Sequence, residues 1–435
     1  MNKIVIALCL LLACTHITDA QQTNIEAADF DGSGRVDFPD FLIFASGFGK
    51  STNDVGFDAR LDFSGNGTID FPDFLVFAQS FGKSPNDPQE VLLYIADVTG
   101  NRVEVVNTAT NLLDPSRTLR VSQPRGIALS SNRIYISAID TFYAFNKSNN
   151  TRAFTIPLDP TFLPSGGLES RGGLRIALSS DQSTAYVTEE GVGWVEIFDV
   201  TKGTALTQIP VGLTPTGIVL SPNGTRAYIA HGDGASNISV INTQNRTLLE
   251  TIPVGAGVTR FAQSSNGNQL YLNNTRSNLI QVLNTQSKTI EKSIKIGQAG
   301  DLQVRVYDVS LSPDGTRLYA AVWRFYTGFD PTGSPVNISW GGIVVIDTQT
   351  FTQVAEIKAG ELVANMGVTP DGKTAYVAGV EALSDQATGN LQVFIIDLVG
   401  NKSLGSIRGL NLPVAFTFSA SKPAIPQLPP VSFSF

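Results

Sequence analysis

Apolar residues between positions 91 and 420 fall into short runs separated by turn-forming residues. The clearest copy of the phrase is PTGIVLSPNGTRAYIAHGDGASNISVINTQNRTLLETIPVG, residues 215–255. Four apolar runs stand out in it: GIVLS, RAYIA, ISVIN and LLETIPV. Gly, Pro, Asn and Thr bound them, which predicts four short strands joined by turns. The pattern predicts a mainly β protein.

A Tyr in the second strand marks every copy of this phrase. The marks are Tyr94, Tyr135, Tyr186, Tyr228, Tyr271, Tyr319 and Tyr376. Successive marks are 41 to 57 residues apart, which suits the four-stranded blade of a β-propeller. Seven marks therefore predict a seven-bladed β-propeller.

The first copy lacks its opening strand, because Val91 begins almost on the Tyr strand. The missing strand is found at the other end of the chain, as PVAFTFSAS from Pro413. A C-terminal strand that completes the first blade would close the ring and leave no long sheet edge exposed. We therefore assign residues 91–420 to the propeller and residues 421–435 to a Pro-rich tail.

Several short phrases in this region resemble YVTN-type β-propeller repeats. They are AYVT at residues 185–188, SPNG from Ser221 and SPDG from Ser312. The resemblance covers nearly all of residues 91–420 and implies a propeller of a kind found in secreted and surface proteins. The same architecture also serves lactonases and quinoprotein-like dehydrogenases, so the fold by itself assigns no function.

A helical period replaces the strand pattern in residues 25–83. Eleven of the 25 Phe lie between Phe30 and Phe81. Two sets of residues recur at helical spacing on one face: Phe41, Phe44, Ala45 and Phe48, and then Phe74, Phe77, Ala78 and Phe81. Pro39 and Pro72 suit the first helical position. We expect a small α-helical module in which two Phe-rich faces pack about a pseudo-twofold axis.

An acidic phrase precedes each predicted helix: DFDGSGRVDFPDF at residues 29–41 and DFSGNGTIDFPDF at residues 62–74. Numbered from the first Asp, both place oxygen-bearing side chains at positions 1, 3, 5, 9 and 12, and Gly at position 6. This is EF-hand spacing, in which those oxygens and the position-7 carbonyl surround one Ca²⁺. The predicted ligands are Asp29, Asp31, Ser33, Arg35 (carbonyl), Asp37 and Asp40, and then Asp62, Ser64, Asn66, Thr68 (carbonyl), Asp70 and Asp73.

We expect two calcium ions, bound unequally. The first loop offers four carboxylates and the second three, with Ser64 and Asn66 as neutral ligands. Since the number of charged ligands tunes affinity in such loops, the first site should bind calcium more tightly.

Both loops have Asp rather than Glu at position 12, and one helix follows each loop. This arrangement resembles dockerin repeats over residues 25–83 and implies a non-catalytic module for attachment or stabilisation. In cellulosomal dockerins, recognition relies on loop positions 10 and 11, which here are Phe38–Pro39 and Phe71–Pro72. Because both pairs are apolar, a standard cohesin is not the partner we expect. Residues 84–90 have no apolar period and are interpreted as a linker.

The first 20 residues, MNKIVIALCLLLACTHITDA, are typical of a secretory signal peptide. Their apolar run is too short to span a membrane, and we expect no transmembrane segment. Cleavage before Gln21 would give a secreted protein, whereas LLAC, ending at Cys14, resembles a lipoprotein box and would give a lipid-anchored one. Both Cys lie in this leader, so no disulfide framework or thiolate metal site is predicted.

The chain has a formal net charge of −8, which argues against nucleic acid as a partner. His231 is the one His outside the leader region, which argues against most hydrolytic triads, His-ligated zinc and haem. We expect His231 to lie in a solvent-facing loop.

Insertions accumulate on one face of the predicted propeller. They begin at Pro157, Arg324 and Glu381. Loops carry function more often than the scaffold does, and the Arg324 loop holds the aromatic candidates Trp323, Tyr326 and Trp340. Two interpretations stay open: these side chains contact a ligand, or they pack together and pin a long loop.

Aligned innermost strands suggest a second candidate site at the mouth of the central channel. Its residues are Arg175, Arg260, Asp308 and Asn365. Two Arg could hold a carboxylate or phosphate group. The alternative is a hydrated polar channel with internal ion pairs.

Together these patterns predict a secreted or cell-surface, calcium-binding protein whose propeller binds an extracellular protein or glycan. One alternative is a lactonase-like hydrolase that uses Asp308 or a metal at the channel mouth. Another is a structural component of the cell envelope. The sequence leaves open whether the propeller is catalytic.

Overall fold

The computed structural model describes residues 25–82, 91–158, 173–232, 234–297, 301–329, 331–382 and 391–419. The predicted signal peptide, linker and Pro-rich tail lie outside these ranges, as does most of the insertions after Pro157 and Glu381. The chain forms two compact units, described in turn. Within the ranges given, no helix has the length and apolarity needed to cross a membrane.

The first unit contains the helices α1 (Ile25–Ala28), α2 (Phe38–Gly47) and α3 (Phe71–Ser80), with a short 3₁₀ turn at Ala59–Leu61. Pro39 and Pro72 lie in the first turns of α2 and α3, where a missing N–H removes no helical hydrogen bond. Each of these two helices follows one acidic phrase directly. The expected small α-helical module is therefore present.

Two equivalent hydrogen bonds link the halves of this unit. Gly49 N donates to Ile69 O and Gly82 N donates to Val36 O, both at 2.7 Å. Each bond joins the chain after one helix to loop position 8 of the other repeat, so the two repeats are related as a pseudo-twofold requires. The rings of Phe44 and Phe77 stack at the centre, with centroids 5.1 Å apart. The expected packing of two Phe-rich faces is confirmed.

The second unit is a seven-bladed propeller of antiparallel sheets. Blade 1 contains β1 (Leu92–Asp97), β2 (Arg102–Asn107), β3 (Leu112–Leu113), β4 (Leu119–Arg120) and the last strand, β29 (Pro413–Phe418). A 3₁₀ turn, Pro115–Arg117, separates β3 from β4.

Six further blades each contain four consecutive strands. Blade 2 contains β5 (Gly126–Leu129), β6 (Arg133–Ser137), β7 (Thr141–Asn146) and β8 (Arg152–Pro157). Blade 3 contains β9 (Gly173–Leu178), β10 (Thr184–Glu189), β11 (Trp194–Asp199) and β12 (Thr204–Pro210). Blade 4 contains β13 (Pro215–Leu220), β14 (Arg226–His231), β15 (Asn237–Asn242) and β16 (Thr247–Pro253).

The last three blades have the same order. Blade 5 contains β17 (Phe261–Gln263), β18 (Gln269–Leu272), β19 (Leu279–Asn284) and β20 (Thr289–Lys295). Blade 6 contains β21 (Asp301–Leu311), β22 (Arg317–Phe329), β23 (Pro335–Asp347) and β24 (Gln353–Gly360). Blade 7 contains β25 (Leu362–Val368), β26 (Thr374–Val380), β27 (Gln392–Asp397) and β28 (Lys402–Ile407).

The ring closes through the C-terminal strand, as the sequence predicts. β29 pairs antiparallel with β1, with Tyr94 opposite Thr417. The innermost strands contact one another in one cycle: β29, β5, β9, β13, β17, β21, β25 and back to β29. The fully buried Asp97 of β1 supports the closure, since its Oδ1 accepts hydrogen bonds from Asn411 N and Leu412 N. These bonds hold the chain entering β29 beside the first blade.

Apolar packing is divided into seven clusters, one between each pair of neighbouring blades. In each blade, the strand that carries the recurring Tyr places this side chain in the cluster shared with the next blade. All seven Tyr are buried. Tyr376, for example, joins Leu93 and Ile95 of blade 1. The recurring Tyr is therefore a packing residue of the blade interface.

Candidate functional site

The first acidic loop gathers carboxylate oxygens at one point. Asp29, Asp31 and Asp40 each place an oxygen within 4.8 Å of the other two. Among the described residues, no other group of three His, Cys, Asp or Glu side chains comes this close. These are three of the predicted calcium ligands, and hard oxygen donors are what Ca²⁺ prefers.

Glycine at loop position 6 lets the backbone turn sharply in both loops. Gly34 has φ +85° and Gly67 has φ +83°, values that other residues rarely adopt. Position 8 then turns inward, since the side chains of Val36 and Ile69 are fully buried. Both loops thus share the turn at position 6 and the buried position 8 that the EF-hand pattern also has.

The position-12 carboxylates are fully buried and span their loops. Asp40 Oδ1 accepts from Phe30 N at 2.6 Å and from Asp31 N at 3.1 Å, and its Oδ2 accepts from Asp37 N at 2.9 Å. Asp73 accepts from the equivalent N–H groups of Ser64 and Asp70, both at 2.8 Å. Each carboxylate therefore ties the start of the loop to its end.

The loop carboxylates have no cationic partner. In the described part of the chain, none of the seven forms an ion pair with Lys or Arg; the ion pair within this unit joins Asp58 and Arg60, outside both loops. Moreover, Asp37 Oδ1 and Asp70 Oδ1, both at position 9, are buried without a hydrogen-bond partner. Orphaned carboxylate oxygens at the same position of both loops fit a cation ligand set.

The second loop differs from the first where its sequence is neutral. Ser64 Oγ donates to Asp62 Oδ1 and Asn66 Nδ2 donates to Asp70 Oδ2, both at 3.2 Å. In the first loop Ser33 Oγ instead donates to the Arg35 carbonyl, the position-7 oxygen, at 3.0 Å. The neutral side chains of the second loop thus donate hydrogen bonds to two of its carboxylates.

The channel candidates lie where the innermost strands are irregular. The strand register shifts at this level in five of the seven innermost strands, including those of Arg175, Asp308 and Asn365. Such bulges re-aim side chains relative to the regular alternation of a strand. The expectation that these residues face a common channel agrees with their contacts.

Arg175 reaches across the ring from blade 3. Its Nη2 donates to Asn365 Oδ1 of blade 7 at 3.1 Å and to the Val414 carbonyl of blade 1 at 3.0 Å. Burial lowers the pKa of Arg175 to about 9, helped by repulsion from Arg260 and opposed by Asp308. The side chain therefore remains charged at neutral pH.

Arg260 approaches the same space from blade 5. Its Nη1 donates to the carbonyls of Thr216 at 3.2 Å and Thr259 at 3.0 Å, and its Nε is buried without a hydrogen-bond partner. Fully buried Asn273 fixes the backbone at this point, because its Oδ1 accepts from Arg260 N at 2.8 Å. The sequence alone did not point to Asn273. Its only sequence signal is that it is a polar residue directly after an apolar strand.

Asp308 is the carboxylate between the two guanidinium groups. Its Oδ1 accepts from Val309 N at 2.9 Å and its Oδ2 from Met366 N at 3.1 Å. Burial raises the pKa of Asp308, while Arg260 and Arg175 oppose the rise. The structure therefore brings the four predicted channel residues together.

Two further charged residues, which sequence reasoning missed, extend this cluster. Burial raises the pKa of Glu190, opposed by Arg125 and Arg260. Glu190 directly follows β10, the second strand of blade 3, and Arg125 directly precedes β5, the innermost strand of blade 2. Glu189, next to Glu190, is also buried.

The Arg324 segment is a β-hairpin and not a loop, which corrects the sequence interpretation. β22 and β23 pair continuously from Arg317 opposite Asp347 to Phe329 opposite Pro335. The pairing of β22 with β23 continues through the inserted residues, so the insertion lengthens two existing strands.

The two Trp of this hairpin lie on opposite faces. Trp340 is 8% exposed and packs in the cluster between blades 5 and 6, together with Tyr326. The buried Arg324 lies over its ring at 4.3 Å and forms an ion pair with Glu356. Trp323 is partly exposed, and its Nε1 donates to Ser339 Oγ at 2.8 Å. Of the two open interpretations, packing fits Trp340, and Trp323 remains a candidate contact.

His231 contradicts the expectation of a solvent-facing loop. It ends β14 and is 2% exposed, with Nδ1 2.9 Å from the Leu213 carbonyl and Nε2 2.9 Å from Ser239 Oγ. Ser239 Oγ in turn donates to the Val211 carbonyl at 2.9 Å. His231 is therefore a structural residue that joins two strands of blade 4 to the chain leaving blade 3.

Burial of His231 predicts a pH-dependent stability. Burial lowers its pKa, opposed by the hydrogen bond with Leu213. Below about pH 6.5 the unfolded chain therefore holds a proton that the folded protein lacks, so stability falls as pH drops. In urea unfolding at about pH 7.5 and about pH 5.5, His231→Gln should lose less stability on acidification than the natural protein does. Equal losses would contradict this account.

The chain matches no known family and no curated protein. Among solved structures it is similar to two candidate 6-phosphogluconolactonases. That from Bacteroides uniformis shares 17% identity over 76% of this chain and 99% of that chain, with a TM-score of 0.56. That from Bacteroides fragilis shares 17% identity over 78% of this chain and 100% of that chain, with a TM-score of 0.55. At this identity the similarity shows that the chain has a β-propeller fold, and no more.

Proposed function

We propose that this is a calcium-binding protein of the cell exterior whose propeller binds a protein or glycan partner. The observation that carries the calcium assignment is the set of seven loop carboxylates without a cationic partner, two of which have an orphaned buried oxygen. Burying such charges without compensation is strongly unfavourable. Two bound Ca²⁺ ions would compensate them.

The loop geometry supports an EF-hand type of site. In the first loop the ion would be held by Asp29, Asp31, Ser33, Asp37 and Asp40, with the Arg35 carbonyl. In the second the ligands would be Asp62, Ser64, Asn66, Asp70 and Asp73, with the Thr68 carbonyl. Both loops have the Gly turn and the inward position 8 that the pattern needs.

We further infer that the first unit is a dockerin-like attachment module. One helix follows each loop, and the two repeats are linked by equivalent hydrogen bonds. Loop position 10 is exposed in both repeats, with Phe38 at 61% and Phe71 at 55%. An apolar partner surface, unlike that of a standard cohesin, would suit these side chains. The predicted signal peptide, or a lipid on Cys14, would place the protein outside the cell.

The propeller offers a partner surface on the β22–β23 hairpin of blade 6. Trp323, Phe325 and Phe329 alternate along one face of β22, and Phe329 is 73% exposed. The rings of Trp323 and Phe325 stack with centroids 6.2 Å apart. Aromatic side chains held on a rigid strand suit contact with a sugar ring or a protein surface. We regard the repeats as YVTN-type, a structural unit compatible with this role.

Titration calorimetry with Ca²⁺ on the full chain tests the calcium assignment. Two ions should bind, the tighter lost in Asp29→Asn and the weaker in Asp62→Asn, since each change removes the position-1 carboxylate. Asp54→Asn is the matched control, because Asp54 is exposed and lies outside both loops. Binding that survives both loop substitutions, or is weakened equally by the control, would refute the assignment.

A lactonase-like hydrolase is the second candidate. Its supporting observations are the propeller fold shared with two candidate 6-phosphogluconolactonases and the paired guanidinium groups beside Asp308. Arg side chains suit a phosphorylated sugar acid. Hydrolysis of 6-phosphogluconolactone by the purified protein, lost in Asp308→Asn, would favour this candidate over simple partner binding.

A further inference from the structure

Two guanidinium groups in the channel have no carboxylate within ion-pair distance. Repulsion from Arg260 helps to lower the pKa of Arg175, and neither Arg forms an ion pair in the described part of the chain. The hydrogen-bond acceptors of the two guanidinium groups are neutral: Asn365 Oδ1 and three backbone carbonyls. Buried Arg is normally paired with a carboxylate, because removing its charge from water is costly.

Asp308 does not supply the missing pairing. Both its oxygens accept backbone N–H groups, from Val309 and Met366, and it lies beyond ion-pair distance of either Arg. It lies near both guanidinium groups without a hydrogen bond to either of them. Glu190 interacts electrostatically with Arg260, but it also interacts with Arg125.

We propose that the channel of the propeller binds a small anion, a carboxylate or phosphate group, between Arg175 and Arg260. The anion would accept from guanidinium N–H groups that have no acceptor now, among them Arg260 Nε. Asn365 adds a neutral polar group at the same place. This site is independent of the calcium loops and does not require catalysis in the channel.

The folding of the strands explains why the site is preformed. Bulges in β9, β21 and β25 aim Arg175, Asp308 and Asn365 away from the regular alternation, and Asn273 fixes the backbone of Arg260. Arg175, Arg260 and Asn365 each keep some accessible surface. Positioned donors of this kind favour binding because little side-chain freedom is lost when the ligand arrives.

Thermal unfolding of the full chain, at constant ionic strength set with sodium chloride, tests the proposal. Three matched probes separate the chemistries: gluconate carries a carboxylate, glucose 6-phosphate carries a phosphate, and glucose carries neither. We expect at least one of the two anions to raise the propeller transition, whereas glucose should not. If neither anion acts beyond the chloride background, the proposal is wrong. The anion that raises the transition shows whether the site binds a carboxylate or a phosphate group.

Variants separate a binding role from a structural one. Arg260→Gln should weaken anion binding by about tenfold or more in calorimetry, since it removes a charge-assisted contact. Without ligand it should leave the melting temperature unchanged or raise it, because it removes a buried charge that forms no ion pair with a carboxylate. Asp308→Asn should tighten anion binding, since it removes the competing negative charge.

Arg120→Gln is the matched control, because Arg120 is exposed on blade 1. It should alter neither ligand binding nor melting temperature. An anion effect that persists in the Arg175→Gln, Arg260→Gln double variant would overturn the proposal. So would a large loss of ligand-free stability in Arg260→Gln with unchanged anion affinity, because that result assigns Arg260 a structural role alone.

Discussion

Removing calcium should unfold residues 25–82 while the propeller stays folded. This unit has about sixty residues, a size at which an apolar core alone is marginal. Without metal, seven carboxylates repel one another in two short loops, and no Lys or Arg offsets them among the described residues. Metal that binds only the folded form adds about 2.7 kcal/mol per site at a hundredfold excess over its dissociation constant. The stabilisation from two such sites exceeds the free energy of unfolding that a unit of marginal stability can lose.

Scanning calorimetry of the full chain with and without a chelator measures this effect. We expect two transitions in calcium and the loss of the smaller one in chelator, with the larger unchanged. Asp29→Asn should lower the smaller transition more than Asp62→Asn, because it empties the site with more carboxylates. An unchanged small transition in chelator would show that the Phe-rich core is sufficient by itself and that the loops have another purpose.

Trp340→Ala should destabilise the propeller by about 3–5 kcal/mol, the usual cost of deleting a buried Trp side chain. Trp340 fills the cluster between blades 5 and 6 and lies under the buried Arg324. Its removal leaves a cavity in the packing and takes away the ring face on which the guanidinium rests. Urea unfolding of the propeller transition measures the loss.

Trp323→Ala is the matched comparison on the other face of the same hairpin. Because Trp323 is partly exposed, its removal should cost clearly less stability while weakening capture of any partner that uses this face. Equal destabilisation by the two substitutions would mean that both Trp are packing residues. In that case the partner surface proposed here would have to lie elsewhere on the propeller.

The propeller could be predicted from the sequence because its repeat is local. Four strands and their turns recur within each blade, and every blade meets its neighbours in the same way, so each Tyr mark reports one interface. Even the closing strand was visible, since the first copy lacked the strand that the C-terminus supplied. The two acidic loops were equally visible in the sequence, because the EF-hand pattern lies within twelve consecutive residues, and calcium binding by them stays a prediction.

The sites that depend on several blades were less accessible from the sequence. The strand alignment found Arg175, Arg260, Asp308 and Asn365, but it could not show that both Arg bind neutral acceptors. It also missed Asn273 and Glu190. They directly follow the second strands of blades 5 and 3, and no pattern in the sequence marks their place beside Arg260.

Local order along the chain determined the seven blades, the closing strand, and the two acidic loops each followed by one helix, because these need only short-range periodicity. Tertiary structure alone decided which side chains are buried and paired. It put Trp323 and Trp340 on opposite faces of one hairpin, buried His231, and left two guanidinium groups in the channel with neutral hydrogen-bond acceptors. The reason is physical: burial and charge compensation are set by groups far apart in sequence, and they exist only once the ring has closed.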